Sequence, residues 1–157
     1  MSTSTARGTE LSSQPSWWCV TNETLPYVWV GVEEIMKKHP KGLLDLYSLE
    51  AVKVELVKGE KTLWVGVSEG RIEAAMLTAV SEFTYAKHLF IIWVGGMGQK
   101  YLPVGVERMQ QYCDSLGIEE MHFCGRPALK RLLEPFGFKS EQVMMTRRAR
   151  PASVRSN

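Results

Sequence analysis

From Leu89 to Val94 the chain runs through six apolar residues without a break, and Gly95, Gly96 and Gly98 then interrupt it. The run is far short of the roughly 20 residues that span a bilayer. Its length, and the turn residues bounding it, predict a strand buried on both faces of a central sheet. Such a strand needs cover on both sides, so the rest of the chain must supply layers above and below it.

The flanking segments read as those layers. Residues 1–16, rich in Ser and Thr with no apolar stretch, read as a flexible leader and not a signal peptide. Trp17–Val20 begins the folded part as a short strand. Thr21 or Asn22 can cap a helix, with Glu23 in its first turn and Val28, Val32, Ile35 and Met36 at helical spacing. Ser48 caps a second helix, with Val52, Leu56 and Val57 on one face and Gly59 as its stop.

Residues 62–68 and 71–80 read as a hairpin turning at Glu69 and Gly70. After the apolar strand, Pro103 suits the first turn of a helix buried through Val106, Met109, Tyr112, Cys113 and Leu116, which Gly117 ends. Residues 120–124 form a short strand. A helix from Pro127 carries Leu129, Leu132 and Leu133, and Val143 to Arg147 is a last strand. The order is β-α-α-β-β-β-α-β-α-β. The strand–helix–strand unit after residue 89 implies a right-handed parallel crossover, and the hairpin before it is antiparallel. The expected architecture is α/β, or mixed α+β: a mixed sheet, antiparallel in its first half, with helices on both faces.

The chain has 157 residues, 45% hydrophobic and 23% charged, which fits one soluble globular domain. The net charge of +2 is too small to argue for a nucleic-acid partner on its own, and the basic residues do not line a groove-sized face. Arg147, Arg148, Arg150 and Arg155 instead crowd the last residues, a solvated tail or an arm for an acidic partner or nucleic acid. The three cysteines, Cys19, Cys113 and Cys124, match no zinc spacing or closed disulfide framework and suit a reducing cytoplasm.

Three segments, in this order, resemble the GNAT superfamily of acyl-CoA N-acyltransferases. LWVGVSEGRIEAA (63–75) resembles the family's second and third strands. The strand to Val94, its glycine loop and the following helix resemble the acyl-CoA motif. RPALKRLLEPFGF (126–138) resembles the final helix with its Gly-Phe. The likeness covers roughly residues 17–148 as a single GNAT-like domain, leaving 149–157 as a basic flexible tail. It implies an acetyl-CoA or other acyl-CoA cofactor and no metal.

On the family's pattern the coenzyme's pyrophosphate is cradled by backbone N–H groups at a helix N-terminus. This assigns cofactor binding to Val94, Gly95, Gly96, Gly98, Gln99 and Lys100. Gln99 falls five residues after Val94, as in the family. The family's glycine positions fall on Leu102 and Val104, and Pro103 removes a donor. The positions of the capping Asn and the acid Tyr hold Arg126 and Leu133, and leucine cannot transfer a proton. Tyr101 or Tyr112 would have to substitute. Glu82 and His88, flanking the apolar strand, are the candidate general bases, with Glu73 on the hairpin; His122 reads as a core or edge histidine. No Ser-His-Asp or metal arrangement emerges from the spacing.

The implied activity is an acyl-CoA-dependent N-acyltransferase with a degenerate coenzyme loop, in the bacterial cytoplasm. A narrower likeness is to small GNAT-like proteins of tailed bacteriophages. It implies the alternative of a catalytically inactive structural or assembly protein of the particle, meeting head or tail proteins through its leader and Arg-rich tail, with no membrane partner.

Overall fold

The computed structural model describes residues 14–39, 48–96, 98–125, 127–141 and 147. The chain forms two compact units, residues 1–125 and 126–157. Residues 1–13 of the expected leader, the expected strand 143–147 (apart from Arg147) and the tail lie outside the described residues, and Ser16, expected in the leader, begins the first strand.

The first unit is a five-stranded sheet in chain order: β1 (Ser16–Cys19), β2 (Thr62–Ser68), β3 (Arg71–Glu82), β4 (Lys87–Gly95) and β5 (Glu120–Phe123). Neighbours pair antiparallel from β1 to β4, and β4 pairs parallel with β5. This is the mixed sheet expected from the sequence. Helices α1 (Leu25–Lys38) and α2 (Leu49–Lys58) precede β2, and α3 (Tyr101–Leu116) joins β4 to β5.

The hairpin turn is the two-residue kind with positive φ at both centres, Glu69 at 52° and Gly70 at 73°. That twist matches the strands it joins. Ser48 caps α2, its hydroxyl accepting from the Ala51 N–H at 3.1 Å, and Gly59 ends it in the left-handed conformation. The start of α1 differs from the expected cap. Thr21 and Thr24 satisfy each other, the Thr21 N–H donating to Thr24 Oγ1 at 2.9 Å, so the helix begins at Leu25 with Pro26 in its first turn. Asn22 is used elsewhere, its amide donating to the Val57 carbonyl at 3.2 Å. Val57 itself is exposed, because α2 turns only Val52 and Leu56 fully inward.

Two clusters fill the two faces of the sheet. On one, Leu25, Trp29, Val32 and Met36 of α1 and Val52 and Leu56 of α2 pack on Leu63, Val65, Ala75, Leu77 and Trp93. On the other, Tyr101, Met109 and Cys113 of α3 pack on Trp17, Trp64, Ala74, Met76, Leu89 and Ile91. Helix α3 starts two residues before Pro103, and its fully buried stripe is Tyr101, Gly105, Met109 and Cys113, each four apart. Val106 and Tyr112 are half-buried and Leu116 is exposed, one step off that stripe.

Strand β4 is not buried on both faces throughout. It alternates between buried and half-buried residues from His88 to Gly95, and β5 pairs with its far edge only from His88 to Ile91. It also carries a bulge. Leu77 pairs with Trp93 but Thr78 pairs with Ile91, so Ile92 is one extra residue. The extra residue switches the facing: Leu89 and Ile91 point to α3, whereas Trp93 joins the α1–α2 cluster. A second bulge sits in β3. Gly66 pairs with Ala74 but Val67 pairs with Ile72, leaving Glu73 extra.

The bulged Glu73 lies against the end of β4. A Cβ on Gly96 would stand 2.4 Å from the Glu73 carbonyl oxygen, and Gly96 has φ +67°. A Cβ on Gly95 would stand 2.3 Å from the Trp93 ring. Both glycines are therefore required by the fold's own packing. Gly98 has nothing within 4 Å of where a Cβ would be.

The second unit holds a 3-10 turn (Pro127–Leu129), one turn of helix α4 (Lys130–Leu133) and a 3-10 turn (Glu134–Phe136) closed by Gly137 at φ +90°. Leu133 is buried, but Leu132, expected on the same face, is exposed, because the helical stretch breaks into three short pieces.

Two stability outcomes follow from these contacts. Gly96→Ala should lose about 2–4 kcal/mol of unfolding free energy through backbone clash and positive φ, whereas Gly98→Ala should stay within about 0.5 kcal/mol. Ser48→Ala should cost about 1 kcal/mol by loss of the cap. Urea unfolding of the three variants beside the parent checks all three.

Candidate functional site

The loop that joins β4 to α3 begins beside the Glu73 bulge of β3. Val94 is half-buried against the α3-side cluster. Gly95 and Gly96 are occupied in packing, while Gly98, Gln99 and Lys100 are exposed. Of the six residues expected to bind a cofactor, these last three are the ones turned to solvent.

The first turn of α3 offers fewer backbone donors than an ideal helix start. The Tyr101 N–H donates to the Gly98 carbonyl at 3.0 Å, the Leu102 N–H to Gln99 at 3.3 Å, and Pro103 has none to give. Charge comes instead from Lys100. Its ammonium lies 3.4 Å from Ser68 Oγ, 3.5 Å from Glu73 Oε1 and 5.3 Å from the Tyr101 ring centre. Lys100 and Glu73 are both part-exposed, so the pair is an accessible one with little net strength.

Tyr101 anchors this corner. Its ring covers Gly66, where a Cβ would stand 2.9 Å away, and its carbonyl accepts from the Trp17 indole at 3.0 Å. Its hydroxyl is buried beside Ser68 and Glu73 and makes no hydrogen bond of normal geometry among the described residues. Burial, and after it the Glu73 charge, push the phenol up, so Tyr101 keeps its proton at neutral pH. Tyr112 is placed differently, edge-on to the Trp64 ring at 4.9 Å.

The strand that leads into the loop has an open side. Pairing with β5 stops at Ile91, whose carbonyl takes the Cys124 N–H at 3.1 Å. β4 continues to Gly95, paired with β3 on one edge and with no described strand residue on the edge that β5 leaves. An edge of this kind offers alternating N–H and C=O groups to an extended ligand.

The acid–base candidates lie at the opposite end of β4. Glu82 closes β3, is largely exposed and sits 3.6 Å from the Lys87 ammonium. It lines a surface depression of about 380 Å³ with Lys87, Leu116 and Glu119. His88 is mostly buried, and its Nδ1 is 2.8 Å from His122 Nε2. The sequence reading missed Glu120, which is directly opposite His88 in the parallel ladder and approaches both rings. Only the strand pairing brings together residues 34 apart in sequence.

No family model and no curated protein matches the sequence. Solved structures do match the fold. An aminoglycoside acetyltransferase from an uncultured soil metagenomic sample, in complex with trehalose, is 14% identical with a TM-score of 0.63, over 88% of this chain and 97% of that one. Glucosamine-6-phosphate N-acetyltransferase from Arabidopsis thaliana is 14% identical with a TM-score of 0.62, over 86% and 99%. A structure titled as a predicted acetyltransferase with acetyl-CoA, from Clostridium acetobutylicum, is 12% identical with a TM-score of 0.60, over 84% and 96%. Similarity at this identity lies in the fold, which this chain shares with these acetyltransferase structures.

Proposed function

We propose that the chain binds an acyl-CoA along the open edge of β4 and transfers the acyl group to a primary amine. The observation that carries this reading is the parting of β4 from β5 after Ile91, followed at once by an exposed loop and a helix start. An acyl-pantetheine arm carries amides that can pair with the Ile92–Gly95 backbone as an added strand would. The pyrophosphate would then meet Gly98–Lys100, where Lys100 and the helix dipole favour an anion. The complex named above as holding acetyl-CoA shares this fold. On this reading His88 takes the amine proton, since neighbouring side chains hold its ring, and Glu82 is the lesser candidate at the sheet's rim.

The corner also carries its own competitor. Glu73 sits where it can hold Lys100 and repel a phosphate, so coenzyme affinity should be modest.

A second reading is a GNAT-fold structural or assembly protein of a tailed bacteriophage that has lost transfer. It is favoured by Leu133 at the acid position and by Gly95 and Gly96 serving internal packing. A fixed number of copies in purified particles, without acyl transfer, supports it. Absence from particles together with transfer to an amine rejects it.

Isothermal titration with acetyl-CoA at low salt should show one site per chain, and no heat up to millimolar ligand would sink the acyl-CoA reading. Lys100→Ala should weaken binding by about three- to tenfold, and Glu73→Gln should strengthen it by about two- to threefold. In a transfer assay with a panel of amines, His88→Gln should lower kcat by about 10²-fold or more, and Glu82→Gln should leave it nearly unchanged.

A further inference from the structure

His88, the base of the acyl-CoA reading, stands in a cluster with Glu120 and His122, neither of which that reading uses. His88 and Glu120 are ladder partners on β4 and β5, and His122 is two residues on, so period 2 puts it on the same face as Glu120. His88 Nδ1 is 2.8 Å from His122 Nε2 and 3.8 Å from Glu120 Oε2, and that carboxylate oxygen is 3.4 Å from His122 Nε2. The three ligand atoms lie within 4.8 Å of one another.

We propose that these three side chains bind a zinc ion. Zn²⁺ takes imidazole nitrogens and carboxylate oxygens at about 2.0–2.2 Å, which sets ligand atoms about 3.3–3.5 Å apart in a tetrahedron. Two of the three separations are near that range. The third, between the two rings, needs a small opening, which side-chain torsion supplies. Two neutral imidazoles and one carboxylate suit zinc among the divalent ions, where all-oxygen sets suit calcium or magnesium.

The surroundings fit a site that is walled but reachable. The Phe90 ring lies nearly parallel to the His122 ring, centres 4.8 Å apart, and Phe83 meets His88 edge-on at 4.9 Å. His88 is 20% exposed, His122 36% and Glu120 60%, so the mouth opens on the Glu120 side. Three protein ligands leave a fourth position for water or another ligand, the pattern of an open zinc site and not of a closed structural one. Both donor strands belong to the same sheet, so the ligands are held on rigid elements.

The proposal stands on this geometry and does not rest on acyl transfer. It is tested on the full, untagged chain by isothermal titration with zinc chloride, in a Cys19→Ser/Cys124→Ser background because both thiols are exposed and thiolates compete for zinc. The expected result is one zinc per chain. His122→Ala and Glu120→Gln should each weaken it by about tenfold or more, and cobalt(II) should give visible d–d bands that His122→Ala abolishes. Absence of binding, or binding unchanged in both variants, overturns the proposal. Should His122→Ala fail to fold by circular dichroism, Glu120→Gln decides alone, because Glu120 is exposed and its replacement keeps the shape.

Discussion

The extra residue at Ile92 is the constraint on which the rest of this sheet depends. Without it, side chains of β4 would alternate in one phase from Lys87 to Gly95. Trp93 would then face α3 with Leu89 and Ile91. With it, Trp93 enters the α1–α2 cluster, where its indole N–H donates to the His39 carbonyl at 3.1 Å. One strand thus feeds both cores, and each helix layer gains a large residue from it. The bulge also falls where β5 stops pairing, so the strand bends at the point where its edge becomes available.

The second bulge sets the electrostatics of the loop. By displacing Glu73, it brings a carbonyl oxygen against Gly96 and a carboxylate near Lys100. The first effect dictates glycine at 96 for reasons internal to the fold. The second partly neutralises the one cation best placed for a phosphate. Beneath them Tyr101 stays protonated, held up by burial and by the same Glu73. Because its folded-state pKa is raised, the neutral phenol contributes stability that is lost only as pH rises through and beyond the ordinary tyrosine range. On the proposed acyl-CoA reading this corner would bind an anion by exchange of partners, with Lys100 turning from Glu73 to the ligand. Affinity is then a difference between two ion pairs, which is why Glu73 matters as much as Lys100.

Element existence was readable because it rests on local signals. Ser48 and Gly59 bracket α2, Glu69 and Gly70 make the hairpin, and the run 89–94 is a strand. Offsets arose wherever a distant partner chose between local options. Thr21 and Thr24 satisfy each other, releasing Asn22 to the end of α2. Tyr101 is drawn into α3 two residues ahead of Pro103 because its ring fills the space above Gly66. Bulges are invisible to periodicity, because one extra residue looks like an imperfect alternation until the partner strand is known. The glycines show the same limit. The sequence gives three of them after Val94 and cannot say that two are demanded by Trp93 and Glu73 while Gly98 is not.

The histidines show it most sharply. His88 and His122 are ordinary edge residues one at a time, and a parallel ladder with Glu120 opposite makes them a three-atom donor set. A metal on His88 Nδ1 leaves that ring's other nitrogen protonated, so a loaded ring cannot also accept a proton from an amine. If both proposals hold, base and ligand would be exclusive states of one imidazole, set by zinc supply. The coenzyme end of the strand is insulated from that choice. From His88 to Val94 is roughly 20 Å along an extended strand, so metal loading should change proton transfer and leave acyl-CoA affinity as it was.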